Sequence, residues 1–249
     1  MRSELRQALA ILLAVLPATA AAEAWGLFEA ARDVVGAATL REQDILGAAR
    51  RAVQQKDQAQ QVAADASPHA RRLQALTAAH AGEDGLSLNF KAYQSSSPAV
   101  FAAADGSIRL TSALMDQLDD DELRAVIGHQ IGHVSLGHSM SALRTAYLGS
   151  AARNLAGGAA GTQGYAAGTA ARELGDVLEQ ALRSQFSQAQ EQAAGDYAAA
   201  FLNRHRYPVE AMERAERKLA RQGGRHGTSP YHPDPVVSQG RRRLRPEGM

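Results

Sequence analysis

The sequence predicts a mainly helical α+β fold, with a small sheet packed beside one helix that carries a pair of histidines. Three observations lead there. Alanine is abundant and aromatic residues make up only 5% of the chain, which favours helix. Leu86, Leu88, Phe90 and Ala92 alternate with polar residues, and Asp105-Gly106 sits between two short strand-like runs, so a strand and a hairpin are expected there. A long amphipathic run then begins at Asp120, with His129 and His133 four residues apart within it.

The chain has 249 residues and a net charge of +1. That length suffices for a sizeable core, and the charge gives no reason to expect a nucleic acid or another strongly acidic partner. There is no cysteine, which excludes disulfides, thiol catalysis, Cys-ligated zinc and a lipid anchor on Cys.

Residues 1–20 read as a signal peptide. Arg2 and Arg6 precede the apolar stretch Ala8 to Leu16, Pro17 ends it, and Ala18-Thr19-Ala20 supplies a small-residue cleavage site, with Ala22-Glu23-Ala24 as a second and an uncleaved anchor as the alternative reading. The apolar stretch is well short of the ~20 residues that span a bilayer. A periplasmic location follows as the expectation. Residues 21–84 are expected to form a helical N-terminal arm, because Leu40, Ile45, Leu46, Ala49 and Val53 recur at helical spacing. Ser67-Pro68 should interrupt that arm, with helix resuming from Ala70 to Ala79. Residues 85–249 form the remaining domain.

Within that domain the expected order is a strand over Leu86–Ala92, a hairpin of Val100–Ala104 and Ser107–Thr111, and a short helix near Leu114. Asp119 is placed to cap the next helix, with Glu122 completing a capping box. That helix should bury Leu123, Val126, Ile127, Ile131 and Val134. Gly157 to Gly168 reads either as a flexible loop beside the site or as a featureless linker. Helices are expected from about Ala171 to Leu202 and from Val209 to Gln222. Arg241 to Arg245 read as a solvated basic end.

His129-Gln130-Ile131-Gly132-His133 has the layout of the zinc-hydrolase motif H-E-x-x-H with an amide in place of the acid. Helix positions i and i+4 share a face, so both imidazoles can reach one metal ion. The pattern alone is weak: eight histidines in 249 residues give about a quarter of one such pair by chance. Its setting strengthens it. The pair lies on an amphipathic helix directly after a hairpin, and Glu191 lies on a later predicted helix as a third ligand. Two histidines, a glutamate and an open position make a known catalytic zinc shell. His69, His80, His205 and His226 stand in polar or loop contexts and read as surface residues.

The run from Asp120 through His129-Gln130-Ile131-Gly132-His133 to His138 resembles the gluzincin zinc metallopeptidase family, whose members carry H-E-x-x-H. The resemblance extends over roughly Gly85 to the C-terminus and takes in the hairpin Phe101 to Leu110, the stretch Phe186 to Tyr197 and His232-Pro233. It implies a zincin-like peptidase domain, one zinc per chain, and His129, His133 and Glu191 as metal ligands. It also implies a periplasmic or membrane-associated endopeptidase of envelope protein quality control, acting on unfolded or misassembled envelope polypeptides.

Three features depart from the family pattern. Gln130 stands at the general-base position and is not competent as a base. Gly195 stands where the family has an Asp that orients a ligating His; Asp196 is one residue late, about 100° around a helix. Ala99-Val100, followed by Phe101, replaces the usual Asn-Ala of the substrate edge strand. His138 and His232 match family positions near the site. For His232 two readings stand, an oxyanion stabiliser and a packed structural histidine. The function expected is a metalloendopeptidase-family protein whose hydrolysis is absent or strongly impaired. The alternatives are a pseudo-peptidase that binds polypeptides in a chaperone-like way, an active endopeptidase using another base, and a metal-free helical protein.

The signal-like terminus yields a first prediction. The exported chain begins near Ala21, and mass spectrometry of the periplasmic fraction should show that terminus. An intact Met1 there would count against export by cleavage.

Overall fold

The structure is a computed structural model and describes residues 41–158, 176–182 and 186–222. The signal-like segment, the start of the arm, most of the Gly/Ala stretch, His226, His232 and the basic C-terminal run lie outside the described residues. The elements in order are helix α1 (Glu42–Ala59), helix α2 (Pro68–Thr77), two 3-10 turns (Ala78–His80 and Glu83–Gly85) and strand β1 (Asn89–Tyr93). Strands β2 (Val100–Ala102) and β3 (Ser107–Thr111) follow, then helices α3 (Ser112–Gln117), α4 (Asp120–Ser135) and α5 (His138–Gly158). A helical segment at 176–182 precedes α6 (Gln188–Arg204) and α7 (Glu210–Gln222).

The sheet order is β1-β3-β2. β2 and β3 form the expected antiparallel hairpin, while β1 lies parallel to β3, with Phe90 opposite Ile108. The turn at Asp105-Gly106 requires glycine. Gly106 has φ +85°, and a Cβ there would stand 2.3 Å from the Ser87 carbonyl oxygen. β3 is central and buried along its whole length.

Two expected boundaries shift. The strand begins at Asn89, not Leu86. Asp84 and Gly85 take left-handed backbone angles, and the amides of Leu86 and Leu88 donate back to the carbonyls of Glu83 and Ala81. Those backbone groups are therefore spent on the turn and cannot join the ladder. Ser67-Pro68 starts α2 directly: the Ser67 hydroxyl accepts from Ala70 N at 3.1 Å, and Pro68 occupies the first turn, where no amide is needed. In addition, α5 runs unbroken through Gly157 and Gly158, the first residues of the stretch expected as loop or linker.

One core joins α2, the sheet, α3, α4, α6 and α7. Leu73 and Leu76 of α2 bury into it with Leu110, Met115, Ile127, Phe201 and Leu219. Each buried leucine contributes on the order of 2 kcal/mol. Val134 of α4 is only partly buried. A second cluster places Ile45 and Ala49 of α1 against Leu143 and Ala146 of α5 and against Val177 and Ala181.

A charged clamp ties α1 to the sheet. Arg109, 2% exposed on β3, donates through Nε and Nη2 to the two carboxylate oxygens of Asp57, at 2.8 and 3.0 Å. Lys91 Nζ (2.8 Å) and the Tyr93 hydroxyl (2.7 Å) donate to the same carboxylate. Burial by itself would raise the Asp57 pKa, but these donors outweigh it and hold it at about 2.

Loss of this carboxylate leaves a buried guanidinium without its counter-ion. Asp57→Asn should therefore destabilise the fold by on the order of 3 kcal/mol in urea unfolding. Asp57 binds a proton less readily when folded than when unfolded, where its pKa is about 3.9. The stabilisation is therefore complete above pH ~4 and disappears as pH falls toward 2. The variant should lose this pH dependence. A cost below about 1 kcal/mol would mean that the clamp is immaterial.

Candidate metal centre

The helix that bears the histidine pair is fixed at its N-terminus by the expected capping box. Glu122 N donates to Asp119 Oδ1 (2.9 Å), and Asp119 N donates to Glu122 Oε2 (2.8 Å). Glu122 is fully buried, and Lys218 of α7 donates to it at 2.6 Å. Three acidic residues in the first turn also suit the helix dipole. Two turns further on, His129 and His133 share one face, both buried, with their Nε2 atoms 3.1 Å apart.

The third residue arrives from α6, which lies against α4 at unusually close range. A Cβ on Gly128 would stand 2.7 Å from Phe201 Cδ1, and one on Gly132 would stand 3.0 Å from Tyr197 Cδ1. Ala194 and Ala198 keep the α6 side of the contact small as well. The N-terminus of α6 carries its own capping box, Ser187 with Gln190. Glu191 in that first turn reaches toward the pair: Oε2 is 3.4 Å from His129 Nε2, and Oε1 is 3.8 Å from His133 Nε2.

These three side chains fit a zinc ion by donor type and by spacing. Their ligand atoms all lie within 4.8 Å of one another. Tetrahedral Zn–N bonds of about 2.0–2.1 Å put two ligand nitrogens roughly 3.3 Å apart, close to the 3.1 Å separation here.

His133 is held from behind. Its Nδ1 is 3.1 Å from His138 Nδ1, so one ring donates to the other, and Phe186 stacks on its face at 3.9 Å between centroids. Gly137, with φ +72°, ends α4 and turns the chain so that His138 meets His133 at the start of α5. Burial pushes the His138 pKa below the usual histidine value. The negative charge of Glu191 opposes that shift, and His129 adds to it.

Among the other sequence candidates, Gln130 is fully buried on α4 between the two histidines. Gly195 lies one turn beyond Glu191, and no atom stands within 4 Å of where its Cβ would be. Asp196 is exposed. Ala99 flanks β2, which carries Val100 and Phe101 and pairs only with β3 among the described residues. Beside it, Phe101, Ala102, Ser139, Leu143, Leu178 and Phe186 line a small, mostly apolar pocket, and Ser139 Oγ donates to the Ala102 carbonyl (3.1 Å). His232 lies outside the described residues.

The reading of His80 and His205 as surface residues is corrected. His80 is 1% exposed and packs edge-on against Phe201, while His205 is half-buried beside it. The contacts that bury them join residues more than a hundred apart, Phe201 and Tyr207 on His80 and Glu83 on His205, which local sequence does not show. The Phe186 stack and the Gly128/Gly132 contact were also missed. The glycine spacing of four along one helix face was the available clue for the latter.

A histidine pair on one helix, a glutamate from a second and a small sheet alongside them make up a zincin-like metallopeptidase architecture. Residues 63–236 match the sequence profile of peptidase family M48, and the chain belongs to that family. It is 30% identical over 210 residues to metalloprotease YcaL of Escherichia coli (strain K12), covering 84% of this chain and 82% of that protein. It is 33% identical over 197 residues to metalloprotease LoiP of the same organism, covering 79% and 77%.

The geometry predicts that His133→Ala lowers bound zinc by one equivalent per chain, as read by elemental analysis after zinc loading and desalting. An unchanged zinc content would remove this centre from consideration.

Proposed function

We propose that this protein is an exported zinc-site member of the M48 family that engages unfolded or misassembled envelope polypeptides and hydrolyses them feebly or not at all. The observation that carries this reading is Gln130, buried on α4 between His129 and His133. Both relatives are described as metalloproteases, which supports a peptidase scaffold. The signal-like residues 1–20 support a periplasmic location, with association at the membrane periphery. No helix among the described residues is long and apolar enough to cross a membrane.

Zinc at His129, His133 and Glu191 would polarise a peptide carbonyl and an adjacent water. The remaining work falls to the chain's own side chains. The edge of β2, near Ala99, Val100 and Phe101, offers backbone groups to an extended peptide as an added strand. The Ala-lined pocket beside Phe186 accepts a small apolar side chain. A base must then take a proton from the water and deliver it to the leaving amine. A neutral amide has no comparable basicity, so Gln130 can hydrogen-bond but cannot carry the proton. An amide at this position supports binding over turnover.

Removing a general base typically lowers rate by about 10²–10⁴, and losing a partner that orients a metal ligand costs about 10–100-fold. Gln130→Glu should accordingly raise casein hydrolysis by at least 10². Adding Gly195→Asp, for which the structure leaves room, should raise it further. Robust zinc-dependent cleavage by the unmodified chain, abolished in His133→Ala, would show instead that another group acts as base.

A further inference from the structure

We propose a second, separate transition-metal site formed by His80, Glu83 and His205, which takes zinc or a similar divalent ion and staples the N-terminal arm to the end of α6. The three side chains offer one ligand atom each, all within 4.8 Å of one another. His80 Nδ1 is 3.2 Å from Glu83 Oε2, and His205 Nε2 is 3.0 Å from the same oxygen. These separations are as tight as those of the His129 cluster, and they match the edge of a tetrahedral shell, about 3.3 Å. Two imidazoles and a carboxylate suit zinc better than calcium or magnesium, which prefer all-oxygen shells.

The surroundings prepare the ligands as an outer shell does. The Nε2 of His80 meets the Tyr207 hydroxyl at 3.1 Å, which fixes the ring and leaves Nδ1 aimed at Glu83. Phe201 packs against both histidine rings, at 4.8 Å from each. Burial is the largest influence on His80 and lowers its pKa; Glu83 opposes this, while His205 and Arg124 add to it. The His205 side chain is 27% exposed, so a dissolved ion would reach the cluster from that side.

One feature works against a cation here. Arg204 Nη2 is 3.0 Å from Glu83 Oε1. That side chain is half-exposed, and it also has Asp84 (3.4 Å) and the face of Tyr197 (5.9 Å to the ring centre) within reach. It can therefore yield Glu83 to an incoming ion while keeping other partners. Arg204→Ala should tighten metal binding, which a purely hydrogen-bonded cluster would not do.

The test uses the full chain with the first centre removed, as His129→Ala/His133→Ala. After zinc loading and desalting, that variant should retain one zinc per chain, and zinc should raise its Tm. Adding Glu83→Gln, which preserves shape, should abolish both effects while circular dichroism confirms the fold. Cobalt(II) added to His129→Ala/His133→Ala should give the visible absorption bands of a tetrahedral nitrogen–oxygen site; this reading needs no further variant. A metal-free His129→Ala/His133→Ala protein without cobalt bands, or zinc retained after Glu83→Gln and His205→Ala together, would overturn the proposal. The first of these results would mark His80, Glu83 and His205 as a hydrogen-bonded cluster alone.

Discussion

Where α4 passes α6, neither Gly128 nor Gly132 leaves room for a methyl group without pressing on Phe201 or Tyr197. Adding those methyls would force side-chain or backbone shifts that typically cost 1–3 kcal/mol, more than the ~1 kcal/mol of helix propensity that alanine would return. The closeness matters because Glu191 is reached only across this contact. Its carboxylate stands 3.4 Å from His129, so an ångström of added separation between the helices would take it out of a shared coordination shell. The same contact carries Phe201, and through it His80 and His205, into the protein interior. Both histidine clusters therefore depend on one helix–helix spacing.

The features legible in the sequence are those governed by neighbours a few residues away. The Asp119–Glu122 box, the Asp105-Gly106 turn and the shared face of His129 and His133 are all fixed by spacings of four or fewer. Glu191 could be nominated from its place on a later helix, but nothing local in the sequence shows that α6 crosses α4 at that residue. The features not legible are long-range. The parallel pairing of β1 with β3 sets Asn89 opposite Ser107, although β2 comes between them in the sequence. Leu86 and Leu88 carried a strand-like alternation, yet their amides turned back to Glu83 and Ala81. His80 sits between alanines just before the loop-like Gly82-Glu83-Asp84-Gly85 in sequence but among aromatic rings in space, because Phe201 and Tyr207 arrive more than a hundred residues later.

The peptidase scaffold and its altered motif make different demands on the same helix. A buried glutamine between two histidines keeps the shape and hydrogen-bonding reach of a glutamate without its charge. The packing that aligns α4 therefore does not depend on base chemistry. Gly195 likewise removes a side chain from an open position, so nothing in the core collapses around it. Among the described residues, architecture and base chemistry are in this way physically separable.

The Asp57–Arg109 clamp bears on how the molecule can be divided. The family match begins at residue 63, whereas Asp57 lies six residues before that point and neutralises an arginine in the middle of the sheet. A fragment trimmed to the family boundary would thus carry a stranded cation in its central strand. The order of emergence works the other way. In a chain made N-terminus first, Asp57 precedes Arg109 by 52 residues, so the counter-ion is available before the arginine that needs it.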